Sequence, residues 1–147
     1  MAWHRTDECS HCLAQMPGIG IIGASLLILK TPDPKLFRSR SDFAAWMGLT
    51  PRDHYTSGKL RLGRITRAGD EALRAALFQG ATAVLRHIRN GNHKQASAWL
   101  RDMLQSKPTK LVAIALANKI GRIAWKMIVT SENFENNAAR PNLANAA

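Results

Sequence analysis

The sequence predicts an all-α fold: a helical bundle with a helix-hairpin-helix-like element and an inserted basic loop or short hairpin. Three observations carry that expectation. Apolar residues recur at the spacing of one helix face in successive segments. Clusters of proline and glycine at "MPGIG", "KTPDP" and "NGN" separate those segments. Residues 50–67 are the exception, with positive charge in place of an apolar stripe. A chain of 147 residues suits one domain with a modest core.

Residues 1–15 are polar and mixed and suit a short helix. Pro17 and Gly18 then break the chain, Gly20 permits a tight turn, and the run from Ile21 to Leu29 reads as a helix. "KTPDP", residues 30–34, ends it, because two prolines cannot continue a helix. Ser39 or Ser41 suits the cap of "SDFAAWMGL", where Phe43, Trp46 and Met47 share a face and Gly48 is the stop. The basic loop suits a hairpin around Ser57-Gly58. A long helix is expected over residues 68–89, with Leu73, Leu77, Ala81, Val84 and Ile88 as its stripe. After a turn at residues 90–92, a helix over 93–105 turns Ala96, Trp99, Leu100 and Met103 inward. Pro108 suits the first turn of a last helix reaching Val129. That helix is apolar on most sides and belongs at the centre of the bundle. The polar tail, residues 132–147, reads as disordered.

Charge narrows the partners. The chain carries 21 Lys and Arg against 10 Asp and Glu, a formal net charge of +11. Such a surface attracts an anionic partner, and nucleic acid is the usual one. No membrane is expected: no basic amphipathic helix stands apart from the core pattern, and the most apolar stretch, 111–129, contains Asn118, Lys119, Arg122 and Lys126. The N-terminus has no apolar segment of the kind a signal peptide needs. Cys9 and Cys12 have C-x-x-C spacing, but a zinc site needs a second ligand pair and no other cysteine exists, so two thiols in an N-terminal helix are the simpler account. No metal ligand is assigned.

Two motifs carry candidate chemistry. In "MPGIG", Pro17, Gly18 and Gly20 fit an ordinary glycine-rich helix start. They fit equally the hairpin of a helix-hairpin-helix, whose backbone N–H groups grip phosphate without reading bases. From Arg52 to Arg67 the basic residues are Arg52, Lys59, Arg61, Arg64 and Arg67, opposed by Asp53 alone. Four of the five are arginine, the residue of bidentate phosphate contact. Ser57, followed by Gly58, fits three roles: a turn residue, a hydrogen-bond donor to phosphate, or a nucleophile attacking one, with the arginines stabilising the pentacovalent charge. Tyr55 and Thr56 are neighbouring hydroxyls.

The order of motifs then resembles a known family. "MPGIG", "FRSRSDFAAWMGLTPRDHYTSGKLRLGRITRAGDEALRAAL" and "ALANKIGRIAWKMI" together resemble the C-terminal domain of a family of insertion-sequence transposases, over residues 13–131. In that family a RuvC-like DEDD nuclease domain and a coiled coil come before this serine-bearing domain. The resemblance implies that Ser57 is the nucleophile that joins DNA during strand exchange, and that DNA is the partner. It also implies that Mg²⁺ is held only by the DEDD acids, with no cofactor in this chain. Some members are guided by a structured RNA, and a homo-oligomer and a cytoplasmic, nucleoid-associated location go with the family. No DEDD pattern precedes "PGIG" here, and residues 1–12 diverge, so a truncated transposase is the expectation. A non-catalytic nucleic-acid-binding module and an inactive remnant are the alternatives.

Overall fold

The structure, a computed structural model, describes residues 7–56, 59–66, 68–92 and 96–131, with backbone alone for residues 52–56 and 59–62. The fold is all-α as expected. The helices are α1 (Glu8–Ala14), α2 (Gly20–Lys30), α3 (Arg40–Trp46), α4 (Glu71–Arg89), α5 (Ala98–Ser106) and α6 (Thr109–Thr130). A 3₁₀ turn, Pro34–Leu36, links α2 to α3. Between α3 and α4, strands β1 (Pro51–Thr56) and β2 (Lys59–Ile65) pair antiparallel.

Short polar side chains set the helix starts. Asp7, Ser39, Asp70 and Ser97 accept hydrogen bonds from the amides of Ser10, Asp42, Leu73 and Leu100, groups a helix leaves unpaired at its first turn. Ser39, rather than Ser41, is therefore the α3 cap. The same rule moves two boundaries. The helix expected from residue 68 starts only after Asp70, because Gly69 stands at φ +82°, outside helical space. The helix expected from residue 93 begins at Ala98, where the Ser97 hydroxyl takes the Leu100 amide, and residues 93–95 lie outside the described residues.

α6 is the central element. Its buried face, from Val112 through Ala117 and Ile120 to Met127, packs on α4, α3, α5 and α1. The α4 stripe is Leu73, Leu77, Ala81, Leu85 and Ile88; Leu85, rather than the expected Val84, is the buried residue at its turn, and Val84 lies at the stripe's edge. Phe37, Phe43 and Trp46 form an aromatic cluster with ring centroids 5.2–5.6 Å apart, which packs the segment after the 3₁₀ turn against α3. Trp125 Nε1 on α6 donates to the Pro34 carbonyl at 2.9 Å and ties down the 3₁₀ turn.

The "MPGIG" turn is pressed against this core. Gly18, at φ +92°, has its α-carbon against α4 and α6: a Cβ there would stand 2.7 Å from Ile120 Cδ1 and 3.3 Å from Val84 Cγ2. Across the contact, a Cβ on Gly80 would stand 2.6 Å from the Gly18 carbonyl carbon and closer still to its oxygen. Two backbones thus touch where α2 begins. Gly80→Ala tests this contact. Alanine is the better helix former by about 1 kcal/mol, yet urea unfolding should show a net loss of about 1–3 kcal/mol, the range for forced overpacking. A gain in stability would mean that the turn does not seat on α4.

Candidate nucleic-acid interface

The basic segment forms a two-stranded ribbon. Its register sets Thr56 opposite Lys59, Tyr55 opposite Leu60, His54 opposite Arg61, Asp53 opposite Leu62 and Pro51 opposite Ile65, with an irregularity between Pro51 and Asp53. Backbone alternation places positions 54, 56, 59 and 61 on one face of the ribbon and 53, 55, 60 and 62 on the other. His54, Thr56, Lys59 and Arg61 thus hold the positions of one face, and Asp53, Tyr55, Leu60 and Leu62 those of the other. Of the residues expected to bind nucleic acid, Arg52, Lys59 and Arg61 occupy ribbon positions, and Arg64 near the ribbon's root is exposed. Ser57 and Gly58, which connect Thr56 to Lys59, and Arg67 lie outside the described residues.

The ribbon is rooted through a narrow neck. The Thr66 amide donates to the Thr50 carbonyl at 3.1 Å and closes the ladder beyond Pro51 and Ile65. Gly48, at φ +73°, faces the backbone of Ala68: a Cβ there would stand 2.6 Å from the Ala68 nitrogen. Gly69 faces the Trp46 carbonyl, 3.2 Å from its carbon to an added Cβ, with the oxygen nearer. The end of α3 and the entry to α4 therefore cross with no room for side chains. Arg74 Nη1 donates to the Ala68 carbonyl at 3.0 Å. Asn118 Nδ2, on α6, donates to the Leu49 carbonyl at 3.3 Å.

Asp70 joins this neck to the other motif. One carboxylate oxygen caps α4 through the Leu73 amide at 2.9 Å, and the other pairs with Lys30 Nζ at 2.7 Å. Lys30 ends α2, the helix that the "MPGIG" turn starts. The two phosphate-binding candidates are thus held at opposite ends of one helix. At the turn, Gly20 is exposed, with φ +61° and open space where a Cβ would point. The residue at the cap of α2, Ile19, makes no side-chain capping bond, so among the described residues no capping side chain takes its first amides. The residues that follow are the exposed Ile21 and Ile22, so the first turn of α2 offers backbone donors but no cation. Pro17 is exposed, and Gly18 is partly buried against α4 and α6.

The N-terminal thiols stand apart from this surface. Cys9 and Cys12 are half-buried against the core. Burial, then the nearby Asp7 carboxylate and Cys12, pushes the Cys9 thiol up from its ordinary value, which disfavours the reactive thiolate. Among the described residues no three His, Cys, Asp or Glu side chains gather as a metal site, and none of them offers the carboxylate cluster that Mg²⁺ needs. No helix among them is long and apolar enough to cross a membrane.

Sequence reasoning passed over Asp70, Lys30, Arg74 and Asn118. Asp70 had a signal, the cap spacing ahead of "EALRAAL". The other three act through contacts distant in sequence, which no local pattern records.

Asp70 gives a pH test. The Lys30 hydrogen bond, then that of the Leu73 amide, lowers its carboxyl below the ordinary value. A carboxylate held low in the folded chain adds stability that is present above its unfolded pKa, about 3.9, and is lost as pH falls through the folded value. Asp70→Asn keeps a capping oxygen and loses the charge. Below about pH 4, Tm should fall more steeply in wild type than in Asp70→Asn. Parallel curves would remove the linkage.

The sequence is similar to that of known proteins. The family model described as the transposase IS116/IS110/IS902 family matches residues 10–102. The chain is 60% identical over 134 residues, 91% of its length, to the putative transposase y4pF/y4sB of Sinorhizobium fredii. It is 40% identical over 126 residues, 86% of its length, to the transposase for insertion sequence element IS1328 of Yersinia enterocolitica. With the pilin gene-inverting protein of Moraxella bovis it shares 29% identity over 135 residues, 88% of its length. The chain spans 35%, 37% and 41% of these three relatives.

Proposed function

The chain belongs to the IS116/IS110/IS902 transposase family, and from that premise we propose that it binds DNA through the β1–β2 ribbon and carries in Ser57 the nucleophile for strand exchange. One observation supports the reading above the rest. The basic positions sit on an antiparallel ribbon inserted between α3 and α4, on a root with no slack, and Ser57-Gly58 follows the last pair of its ladder, Thr56 with Lys59. At about 3.4 Å per residue, five steps from Pro51 carry that pair about 15–20 Å along the strand. A basic two-stranded ribbon of that length suits a duplex groove.

The chemistry follows from the residue types. Ser57 Oγ attacks a backbone phosphorus; the Oγ–P bond forms as a P–O bond to a sugar oxygen breaks. The serine gives up its proton, and the leaving oxygen takes one. One phosphodiester is exchanged for another, so the strand can be rejoined without an outside energy source. Arg52, Arg61 and Arg64 oppose the charge that builds on the phosphoryl oxygens. The "MPGIG" turn adds backbone contacts to a second phosphate. Mg²⁺ has no fitting residues among those described here, and any metal belongs with the acids of a DEDD domain. Guidance by a structured RNA and assembly into an oligomer go with the same reading.

Binding should depend strongly on salt, because each neutralised phosphate releases a counterion. Arg61→Ala and Arg64→Ala should each weaken duplex binding by about 0.5–2 kcal/mol with helical circular dichroism unchanged. A flat dependence of log K on log salt would remove the electrostatic basis.

Ser57→Ala should bind almost as wild type, since one hydroxyl among many contacts is worth about 1 kcal/mol. With a DEDD domain supplied in trans, mass spectrometry of nuclease-digested adducts should find nucleotide on Ser57. Nucleotide on Tyr55 or Thr56, with Ser57→Ala still reactive, would contradict the assignment.

A further inference from the structure

We propose that the face of α6 bearing Lys119 and Arg122, between Trp99 and the root of the ribbon, is a second phosphate-contact surface for duplex DNA. The inference rests on the DNA-binding reading above and extends it to residues that neither the ribbon nor the "MPGIG" turn contains.

Helix geometry places the surface. Asn118, Arg122 and Trp125 follow one another at i, i+4 and i+7, so they share a face of α6. Asn118 on that face binds the Leu49 carbonyl at the ribbon's root, and Trp125 binds Pro34. Lys119, Arg122 and Lys126 follow at i, i+3 and i+7 along the adjoining face. Arg122 belongs to both rows. On the far side, Lys119 Nζ stands 4.2 Å from the centre of the Trp99 ring on α5.

Two features of this surface call for an anion. Lys119 and Arg122 are like charges three residues apart on one helix, a destabilising arrangement unless a counter-charge sits between them. Neither forms an ion pair among the described residues, where the Asp70 carboxylate is already taken by Lys30. Arg122 Nε is buried with no hydrogen-bond partner among the described residues, and burying a polar group without one is costly. Burial, then the charge of Arg122, also loosens the Lys119 proton, an effect that a bound phosphate would reverse.

The aromatic neighbour favours a duplex. Single-strand binders offer aromatic faces on which bases stack. Trp99 packs against the core, and Lys119 Nζ covers its ring, so this surface offers charge rather than a stacking platform. Backbone phosphates of a duplex fit that chemistry. Because Asn118 ties the α6 face to the ribbon's root, one duplex could engage both.

The test compares wild type with Lys119→Gln/Arg122→Gln in the full chain, by salt-dependent titration of unrelated duplex sequences. Each lost phosphate contact lowers the slope of log K against log salt by about 0.9. The double variant should therefore lose about 1–2 in slope, weaken about equally on every sequence, and keep wild-type helical content. Lysine acylation read by mass spectrometry supplies a second measurement on the wild-type chain, with saturating duplex protecting Lys119. A folded double variant with wild-type slope overturns the inference and leaves the ribbon's role standing. So does equal acylation of Lys119 with and without duplex, which decides the matter if the double variant fails to fold. Wild type that binds no duplex at all overturns both readings, and a slope change seen with structured RNA but not with duplex DNA overturns the choice of DNA.

Discussion

The structure depends on backbone packed against backbone at the root of the ribbon. Gly48 against Ala68, and Gly69 against Trp46, bring the end of α3 and the entry to α4 closer than any side chain would allow. A two-stranded ribbon standing alone is marginal in water, so its direction has to come from where it is rooted. Here the aromatic cluster fixes Trp46, Trp46 receives Gly69, Asp70 caps α4 and holds Lys30, and Asn118 anchors Leu49 to the central helix. Each contact removes a way for the ribbon to swing.

The same logic appears at the other end of α2. Gly18 and Gly80 let the turn sit down on α4, which leaves Gly20 outermost with open space around it. One glycine serves burial and the other exposure. The Lys30–Asp70 pair couples the two ends, although at the surface it is worth little as an energy. Its value is geometric: it relates the end of α2 to the start of α4, and so, along α2, the turn to the ribbon. On the proposed reading, in which the turn and the ribbon each contact a phosphate backbone, a fixed distance between them matters more than strength at either.

Most of the helical scaffold could be read from the sequence, because capping residues and apolar spacing are local. Ser39 and the stripe through Leu73, Leu77 and Ala81 needed only neighbours a few residues away. Boundaries failed where a tertiary contact decided them. Gly69 belongs to the neck rather than to a helix start because it meets Trp46, twenty-three positions earlier. Val84 fitted the stripe by spacing, yet Leu85 is the buried residue, and Val84 turns toward Gly18 instead. The candidate interface was legible as composition, in its arginines and its glycines. Its support was not, since Arg74, Asn118 and Lys30 look like ordinary polar surface until the fold brings them to a carbonyl or a carboxylate.

The central claim is that the ribbon is the element that meets DNA while its root stays fixed. Hydrogen exchange followed by mass spectrometry, with and without saturating duplex DNA, measures that segment by segment. The account predicts slowed exchange across residues 51–65, with the Thr66 amide, already bonded to Thr50, unchanged. Slowed exchange elsewhere in the chain, with residues 51–65 exchanging at the same rate in both conditions, would contradict it.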